Sequence, residues 1–446
     1  MKNFATENIH RWSIAYHWLK KYVDLAFRQY YKITITGLEN IPFNEPLIFT
    51  PNHQNALMDA LAVLTMRTWQ PVFLSRGDIF QNPRIRKILT FCKMIPVFRM
   101  RDGYHTVQLN DETFRNTRAV LKNCNGLVIL PEGNHLGTKK LRPLKKGVAR
   151  IALQSQEDAN HDLRIKIVPV GLEFSNYKLF GSPLLIRLGE PVAVEPYIMN
   201  YRENPARGIN LLMDTLRDGM IKEMIHIEDE QNHDTILSFV HLLAYHSDEY
   251  KKLKPGTNQR FEHDKQAISY LENLRLAQND LYIKIIKETE SAVKALRQQG
   301  LKADDIIYAK SNMAAMLTRA IILIASFPVF AWSFANNVLP IALARWFGSR
   351  FKDPHFIPSA RFVAGLVALP VFWLLQILVI GLNVRFGWTT VAYMATLPLT
   401  ALVVYQWRKQ FYIMQKQVKF NTIPIARFPL FLRLTELSKR IRSFGR

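Results

Sequence analysis

At 446 residues the chain is longer than one hydrophobic core usually supports, so more than one folded region is expected. Lys and Arg number 59 against 36 Asp and Glu, a formal charge of +23 that calls for a negatively charged partner or surface. The aromatics lie in long apolar runs rather than among the basic residues and no nucleic-acid-binding signature occurs, which excludes nucleic acid and leaves an anionic bilayer and anionic substrates.

Two cysteines, Cys92 and Cys124, are too few for a disulfide framework or a zinc cluster, so the catalytic region is expected to face a reducing compartment. The N-terminus lacks the charged, apolar, then small-residue order of a signal peptide. Within residues 1–31, Trp12, Ala15, Tyr16, Leu19, Tyr22, Val23, Ala26, Phe27 and Tyr30 recur at helical spacing, with His17, Lys20, Lys21, Asp24 and Arg28 on the other side. This predicts an amphipathic helix lying in a membrane interface, although a helix packed on a core has the same spacing.

Residues 32–200 alternate short apolar runs with helical segments, as an α/β domain does. Strands are predicted at Ile33–Thr36, Leu47–Thr50, Val72–Leu74, Pro96–Arg99, Leu127–Leu130, Ile165–Val170 and Leu184–Leu188. Helices are predicted at Asn55–Thr68, Pro83–Lys93, Asn110–Asn123 and Gly147–Gln156. Strands joined by helices usually run parallel, so the loops carrying His53, Arg99 and Glu132 should gather at one end of a sheet.

Residues 201–312 turn charged and helical, with i, i+3, i+4 apolar spacing in Ile268–Ala277 and Leu281–Arg297 after the break at Lys254-Pro255-Gly256. Within 313–411 follow three uncharged apolar stretches, 320–344, 362–384 and 386–407, each long enough to cross a bilayer. Pro328, Asn336, Asn337 and Pro340 interrupt the first, which is therefore expected to be re-entrant or interfacial. Basic residues precede the last two stretches (Arg345, Arg350, Lys352, Arg361) and follow them (Arg408, Lys409, Lys416, Lys419, and the 412–446 tail). Two crossings place both groups on the cytoplasmic side, with the catalytic domain on that face; three do not.

The chemistry is concentrated in a few stretches. Pro51-Asn52-His53-Gln54-Asn55-Ala56-Leu57-Met58-Asp59 sets an imidazole and a carboxylate just beyond a strand, and a carboxylate holding one ring nitrogen leaves the other to take a proton from an alcohol. The alternative is a solvated histidine and an aspartate serving a helix dipole. Leu127–His135 (LVILPEGNH) ends a strand in a Pro-Glu-Gly turn, and Leu141–Gly147 (LRPLKKG) opens a helix with lysines suited to an anion.

The order NH-x-N-x-x-x-D, then IPVFR at Ile95–Arg99, LPEGNH with LRPLKKG, and IVPVG at Ile167–Gly171 resembles the four blocks of the glycerolipid acyltransferase superfamily, the glycerol-3-phosphate and 1-acylglycerol-3-phosphate acyltransferases. Gly37–Pro42 is similar to the segment before its first block, and the resemblance spans roughly Lys32 to Pro196. The fold it implies is α/β, an acyltransferase domain with a central mixed sheet flanked by helices, followed by a helical region and C-terminal transmembrane helices.

By the same resemblance His53 would be the general base and Asp59 its orienter. Arg99, Glu132, Gly133, Asn134, His135, Arg142, Lys145, Lys146 and Gly147 would hold the glycerol phosphate, Glu132 through hydroxyl or backbone contacts because a carboxylate does not attract phosphate, and Val168, Pro169 and Val170 would support the acyl side. The donor would be an acyl thioester of coenzyme A or acyl carrier protein, the acceptor glycerol 3-phosphate or lysophosphatidate, with no cofactor and no metal. Two features depart from the common pattern. Five residues instead of four separate His53 from Asp59, as in a glycerol-3-phosphate branch known from yeast and plants, and Asn134-His135 stands where Thr-Arg is usual. Arg142, Lys145 or Lys146 are candidates to compensate for the second. A membrane-anchored lipid esterase or phosphoesterase is the competing reading; no Gly-x-Ser-x-Gly elbow occurs, and the twelve histidines are scattered without metal-ligand spacing.

Overall fold

The computed structural model describes residues 8–98, 110–135, 137–159, 163–246, 250–306, 313–384, 387–421 and 429–444. The chain divides into two compact units, Met1–His226 and Ile227–Arg446.

The first unit is built on an eight-stranded mixed sheet. Its elements run α1 (Ile14–Tyr30), β1 (Tyr31–Thr36), β2 (Leu47–Pro51), α2 (Leu57–Leu64), β3 (Val72–Arg76), α3 (Pro83–Phe91), β4 (Met94–Val97), α4 (Asn110–Lys122) and β5 (Leu127–Val128). They continue with α5 (Gly147–Asp158), β6 (Lys166–Phe174), β7 (Ser182–Leu188), β8 (Val192–Ala193), α6 (Ile198–Glu203) and α7 (Pro205–Glu223). The strand order is β1-β7-β6-β2-β5-β3-β4, with β8 beside β6. Among the described residues only the β6–β7 and β6–β8 pairs are antiparallel. All five residues of β2 are buried, as expected of a central strand covered on both faces, and each large apolar side chain there contributes about 1.5–3 kcal/mol.

The connections make the site. From β2 the chain crosses toward β3, and from β5 it crosses the other way to β6. Right-handed crossovers in opposite directions put α2 and α5 on opposite faces of the sheet. Ile48 packs accordingly in one cluster with Val148, Ala149 and Ala152 of α5, while Phe49 on the other face meets Trp69. A crevice therefore opens beyond the carboxyl ends of β2 and β5, which pair directly.

Helix α7 belongs to the same unit, although the sequence groups its residues with the charged region. Leu212, Leu216 and Met220 bury in the core, and Asn204 caps its first turn. At the other end of the chain a strap over residues 9–13 is tied down through its own backbone. Lys93 Nζ donates to the carbonyls of Ile9 and Arg11 at 2.7 Å each, and Asn125 donates to that of His10. Gln70 pairs with Ser13 in both directions, accepting from its N–H at 3.0 Å and donating to its carbonyl at 2.8 Å.

The second unit is helical: α8 (His233–His246), α9 (Asn258–Ala277), α10 (Asn279–Gln298), α11 (Met313–Ala325), α12 (Phe327–Ser349), α13 (Ile357–Val384), α14 (Trp388–Asn421) and α15 (Pro429–Phe444). Among the described residues α12, α13 and α14 are long and apolar enough to cross a membrane, which suggests a membrane protein. The interrupted first stretch, 320–344, is divided at Ser326 between the end of α11 and α12, and α12 runs unbroken past Asn336, Asn337 and Pro340. Pro328 falls in its first turn, where the missing N–H has no partner to lose, and Pro340 is carried inside. Its asparagines face protein: Asn337, fully buried, donates to Thr400 Oγ1 at 2.8 Å and accepts from Trp373 Nε1 at 3.1 Å. Polar side chains satisfied between apolar helices hold them together where lipid provides no hydrophobic drive. The expected basic tail contains α15, whose Leu430, Phe431, Leu434, Leu437 and Ile441 are buried; the flanking Arg and Lys residues conceal that stripe in the sequence.

Candidate active site

Strand β2 ends at Pro51, and the next residue anchors the turn. Asn52, 1% exposed, accepts from Leu172 N at 2.6 Å and donates to Leu172 O at 3.3 Å, which pins the turn to β6. Sequence reasoning gave Asn52 no role; its position beside His53 was the available signal.

His53 Nδ1 lies 2.8 Å from Asp59 Oδ2. The same oxygen accepts the backbone N–H groups of Gln54 and Asn55 at 2.8 and 2.7 Å. Because an ionised carboxylate only accepts, Nδ1 carries the hydrogen and the Nε2 lone pair is free to take a proton. Asp59 is fully buried, and the His53 side chain is 15% exposed. The arrangement is a partly accessible imidazole held by a desolvated carboxylate, with one ring nitrogen able to accept a proton.

The geometry explains why α2 starts at Leu57 instead of Asn55. For the two N–H groups to reach Asp59 the turn must fold back on the helix, and Ala56 closes it at φ 45° and ψ −122°. An L-residue pays about 1–3 kcal/mol for such a conformation. Five residues thus fit between His53 and Asp59, with the strain concentrated in one of them. Ala56→Gly is expected to raise the stability of this unit by about 1 kcal/mol, allowing for the flexibility glycine adds to the unfolded chain. A thermal midpoint that falls in this variant would contradict the assignment of strain.

Glu132 reaches the same turn from β5. Its Oε1 accepts the His53 N–H at 2.7 Å, and its Oε2 accepts Arg142 Nε at 3.1 Å and Arg142 N at 3.4 Å. Burial pushes its carboxyl above the ordinary glutamate range, opposed by the donors on His53 and Arg142. Gly133 follows at φ 68°, a left-handed turn suited to glycine. Lys145 N donates to Pro131 O at 2.7 Å, folding the LRPLKKG segment back onto the Pro-Glu-Gly turn.

The fold therefore brings together His53, Asp59, Glu132, Gly133 and Arg142, and sets the His135 ring edge-on to the His53 ring with centroids 5.4 Å apart. Asn134, Lys145, Lys146 and Gly147 are exposed nearby in the chain, the last three at the start of α5. Arg99 lies outside the described residues. Val168 and Val170 are buried in β6 next to β2. Gln54 Nε2, Asn55 Oδ1, Asp59 Oδ1 and Arg142 Nη2 are buried polar atoms without a partner, all from residues of the His53 turn or the Glu132 contact. Buried polar groups are normally satisfied, so such a concentration marks where a ligand or solvent is received.

A family model described as Acyltransferase matches residues 32–173. This stretch is an acyltransferase domain. Glycerol-3-phosphate O-acyltransferase 2 of Saccharomyces cerevisiae is similar to the chain, at 29% identity over 131 residues, 29% of this chain and 17% of the yeast protein. The chloroplastic 1-acyl-sn-glycerol-3-phosphate acyltransferase BAT2 of Brassica napus is 28% identical over 142 residues, 31% of this chain and 39% of its own length. The chain thus matches well under half of either relative. The crystal structure of the 1-acyl-sn-glycerophosphate acyltransferase PlsC of Thermotoga maritima aligns with 46% of this chain and 78% of its own at 18% identity, with a TM-score of 0.34, too low to bear on the site. In the acyltransferase domain the His-x5-Asp turn and the Pro-Glu-Gly turn are the carboxyl-end loops of adjacent strands β2 and β5.

Proposed function

We propose that the protein transfers a fatty acyl group from a thioester of coenzyme A or acyl carrier protein to a glycerol hydroxyl of glycerol 3-phosphate or 1-acylglycerol 3-phosphate, in phospholipid synthesis at a membrane. His53 Nε2 takes the proton of the hydroxyl, and the alkoxide oxygen attacks the thioester carbonyl. The tetrahedral intermediate collapses with cleavage of the carbon–sulfur bond, and the thiolate leaves with the proton returned by His53. Asp59 keeps Nδ1 protonated and balances the imidazolium charge. No cofactor enters these steps.

The observation that carries this reading is the His53–Asp59 pair, with Nε2 free, joined through Glu132 to the Arg142 guanidinium. Arg142 Nη2 has no partner of its own and suits a phosphate oxygen, and Arg99, Asn134, His135, Lys145 and Lys146 supply further polar or cationic groups for the acceptor. Glu132 repels phosphate and acts through the N–H groups it orders. Glycerol 3-phosphate is the favoured acceptor, because the longer His-to-Asp turn is similar to that of the glycerol-3-phosphate branch and the yeast relative carries that activity in its name. The apolar helices support a bilayer location, and the basic residues flanking α13 and α14 favour two crossings with the catalytic unit on the cytoplasmic side.

The test offers the purified full chain acyl-coenzyme A or acyl carrier protein with glycerol 3-phosphate, lysophosphatidate or water. Acylation of glycerol 3-phosphate ahead of lysophosphatidate is expected. Release of free fatty acid without acylation of either acceptor would replace the proposal with a lipid esterase.

A further inference from the structure

Arg142 is only as well placed as the segment that carries it. Its own N and Nε donate to Glu132, and along the same segment the Lys139 ammonium pairs with the Glu173 carboxylate and Lys145 N donates to Pro131 O. Pro131 and Glu132 lie just beyond β5, and Glu173 lies in β6. The residue directly before Arg142 is held from elsewhere. Leu141 N donates to His226 Nδ1 at 2.9 Å, across 85 positions of sequence. His226 follows α7 and belongs to no block of the acyltransferase pattern.

The bond is well founded on both sides. Leu141 is 1% exposed and packs in one cluster with Met220 and Met224, so its N–H is shut off from bulk water and needs an acceptor. A neutral imidazole that accepts at Nδ1 carries its hydrogen on Nε2, the tautomer opposite to that of His53. On the other side, Met224 and Ile225 are buried, and Arg187 Nε of β7 donates to Glu223 Oε2 at 3.0 Å. The chain leaving α7 passes so close to β6 that a Cβ on Gly171 would lie 1.7 Å from the Glu223 carbonyl oxygen. Gly171 ends the IVPVG block, and Val170 beside it pairs with Pro51 at the end of β2. The strand that lies along the His53 turn thus also leaves backbone clearance for the segment that presents His226.

A guanidinium is aimed by two things, the acceptor at its Nε and the backbone from which it springs. Glu132 supplies the first, and His226 fixes the peptide that enters Arg142. A binding group needs such support from behind, since a small displacement of its backbone is enough to spoil its geometry toward a ligand.

We propose that His226 is a positioning residue for the acceptor: through Nδ1 it fixes the Leu141 N–H, and with it the direction in which Arg142 presents Nη2 to a phosphate oxygen. The identity of that ligand rests on the acyl-transfer reading, whereas the clamp does not. No proton or group passes through His226, so its loss belongs in KM.

The test uses the full chain with His226→Ala and His226→Asn. Asparagine sets Oδ1 where Nδ1 stood, so the second variant keeps the acceptor and loses the ring. His226→Ala should raise the KM for the glycerol phosphate acceptor by about three- to tenfold with kcat within about twofold of wild type, and His226→Asn should restore most of it. Ile209→Ala, a core truncation near the start of α7, should lower the thermal midpoint and leave that KM unchanged. Hydrogen exchange supplies an arm free of acyl transfer. Peptides over 139–146 should exchange about three- to tenfold faster in His226→Ala than in wild type or His226→Asn. If His226→Ala does not fold, His226→Gln, whose amide reaches the place of Nε2 instead of Nδ1, makes the same comparison. Unchanged KM and exchange in the variant without the acceptor would overturn the proposal. So would an equal rise of KM in Ile209→Ala, which would reduce His226 to a part of the fold. A chain that acylates neither acceptor defeats the catalytic reading and the ligand named with it, while exchange still decides the clamp; unaltered exchange in an active chain defeats the clamp alone.

Discussion

Acyl transfer by the His53→Ala variant is expected to fall by about 10²–10⁴-fold, with the acceptor KM little changed. The imidazole is the group whose Nε2 is free to accept a proton while Nδ1 is held by Asp59 at 2.8 Å. Alanine removes the base and puts nothing in its place, and the phosphate contacts proposed for Arg142 and its neighbours do not involve the ring. The loss therefore belongs in kcat. The main-chain N–H of residue 53 still donates to Glu132, so the thermal midpoint should move little. A variant that kept more than a tenth of the wild-type rate would rule out His53 as the base. The pH profile adds a second check. Because burial raises the Glu132 carboxyl, it protonates at a higher pH than an ordinary glutamate, and one oxygen then ceases to accept from His53 or Arg142. Activity should fall as pH drops through that raised value. For stability the sign is opposite: the fold favours the protonated form, so the contribution of Glu132 is present at low pH and is lost as pH rises through its folded value.

Asp59→Asn is expected to cost a similar factor, about 10²–10⁴-fold in kcat, for a different reason. One carboxylate oxygen accepts three N–H donors, from His53, Gln54 and Asn55. An amide has one oxygen and no charge. If that oxygen takes the place of Oδ2 it keeps all three donors, and what is lost is the negative charge that balances the imidazolium. If the amide turns the other way its NH2 faces all three: the ring is forced to accept at Nδ1, so Nε2 carries the hydrogen and the base is blocked, and two buried N–H groups lose their acceptor at about 1–3 kcal/mol each. Rates and thermal midpoints measured together separate these outcomes: the first loses rate alone, the second loses both. An Asp59→Asn enzyme with wild-type rate and stability would leave the histidine without its orienter and the mechanism without its support.

The candidate site residues were legible because their motifs are short and local in the chain. His53 and Asp59 lie on one turn and the start of its helix, and Pro131-Glu132-Gly133 is one strand end. The strands and helices of 32–200 were legible for the same reason, since alternating and helical apolar spacing are local patterns. What escaped was set by partners distant in sequence. Asn52 is tied to Leu172, and which backbone group Glu132 meets, the His53 N–H, is set by the pairing of β2 with β5. Helix α2 starts late because Asp59 draws the preceding N–H groups back toward it. Arg99 remains a sequence expectation, as it lies outside the described residues.

The sequence by itself determined an α/β catalytic region with an acyltransferase pattern, a charged helical stretch and apolar segments of membrane length, because each follows from composition and spacing within a few tens of residues. Only the tertiary structure decided that β2 and β5, nearly eighty residues apart, lie side by side. That adjacency sets the imidazole turn against the Glu132 turn. It also decided that α1 shows one apolar stripe to the core and another to the outside, and that α3 buries nothing. Helical spacing reports that a face is apolar; what covers it depends on which elements the crossovers bring within reach.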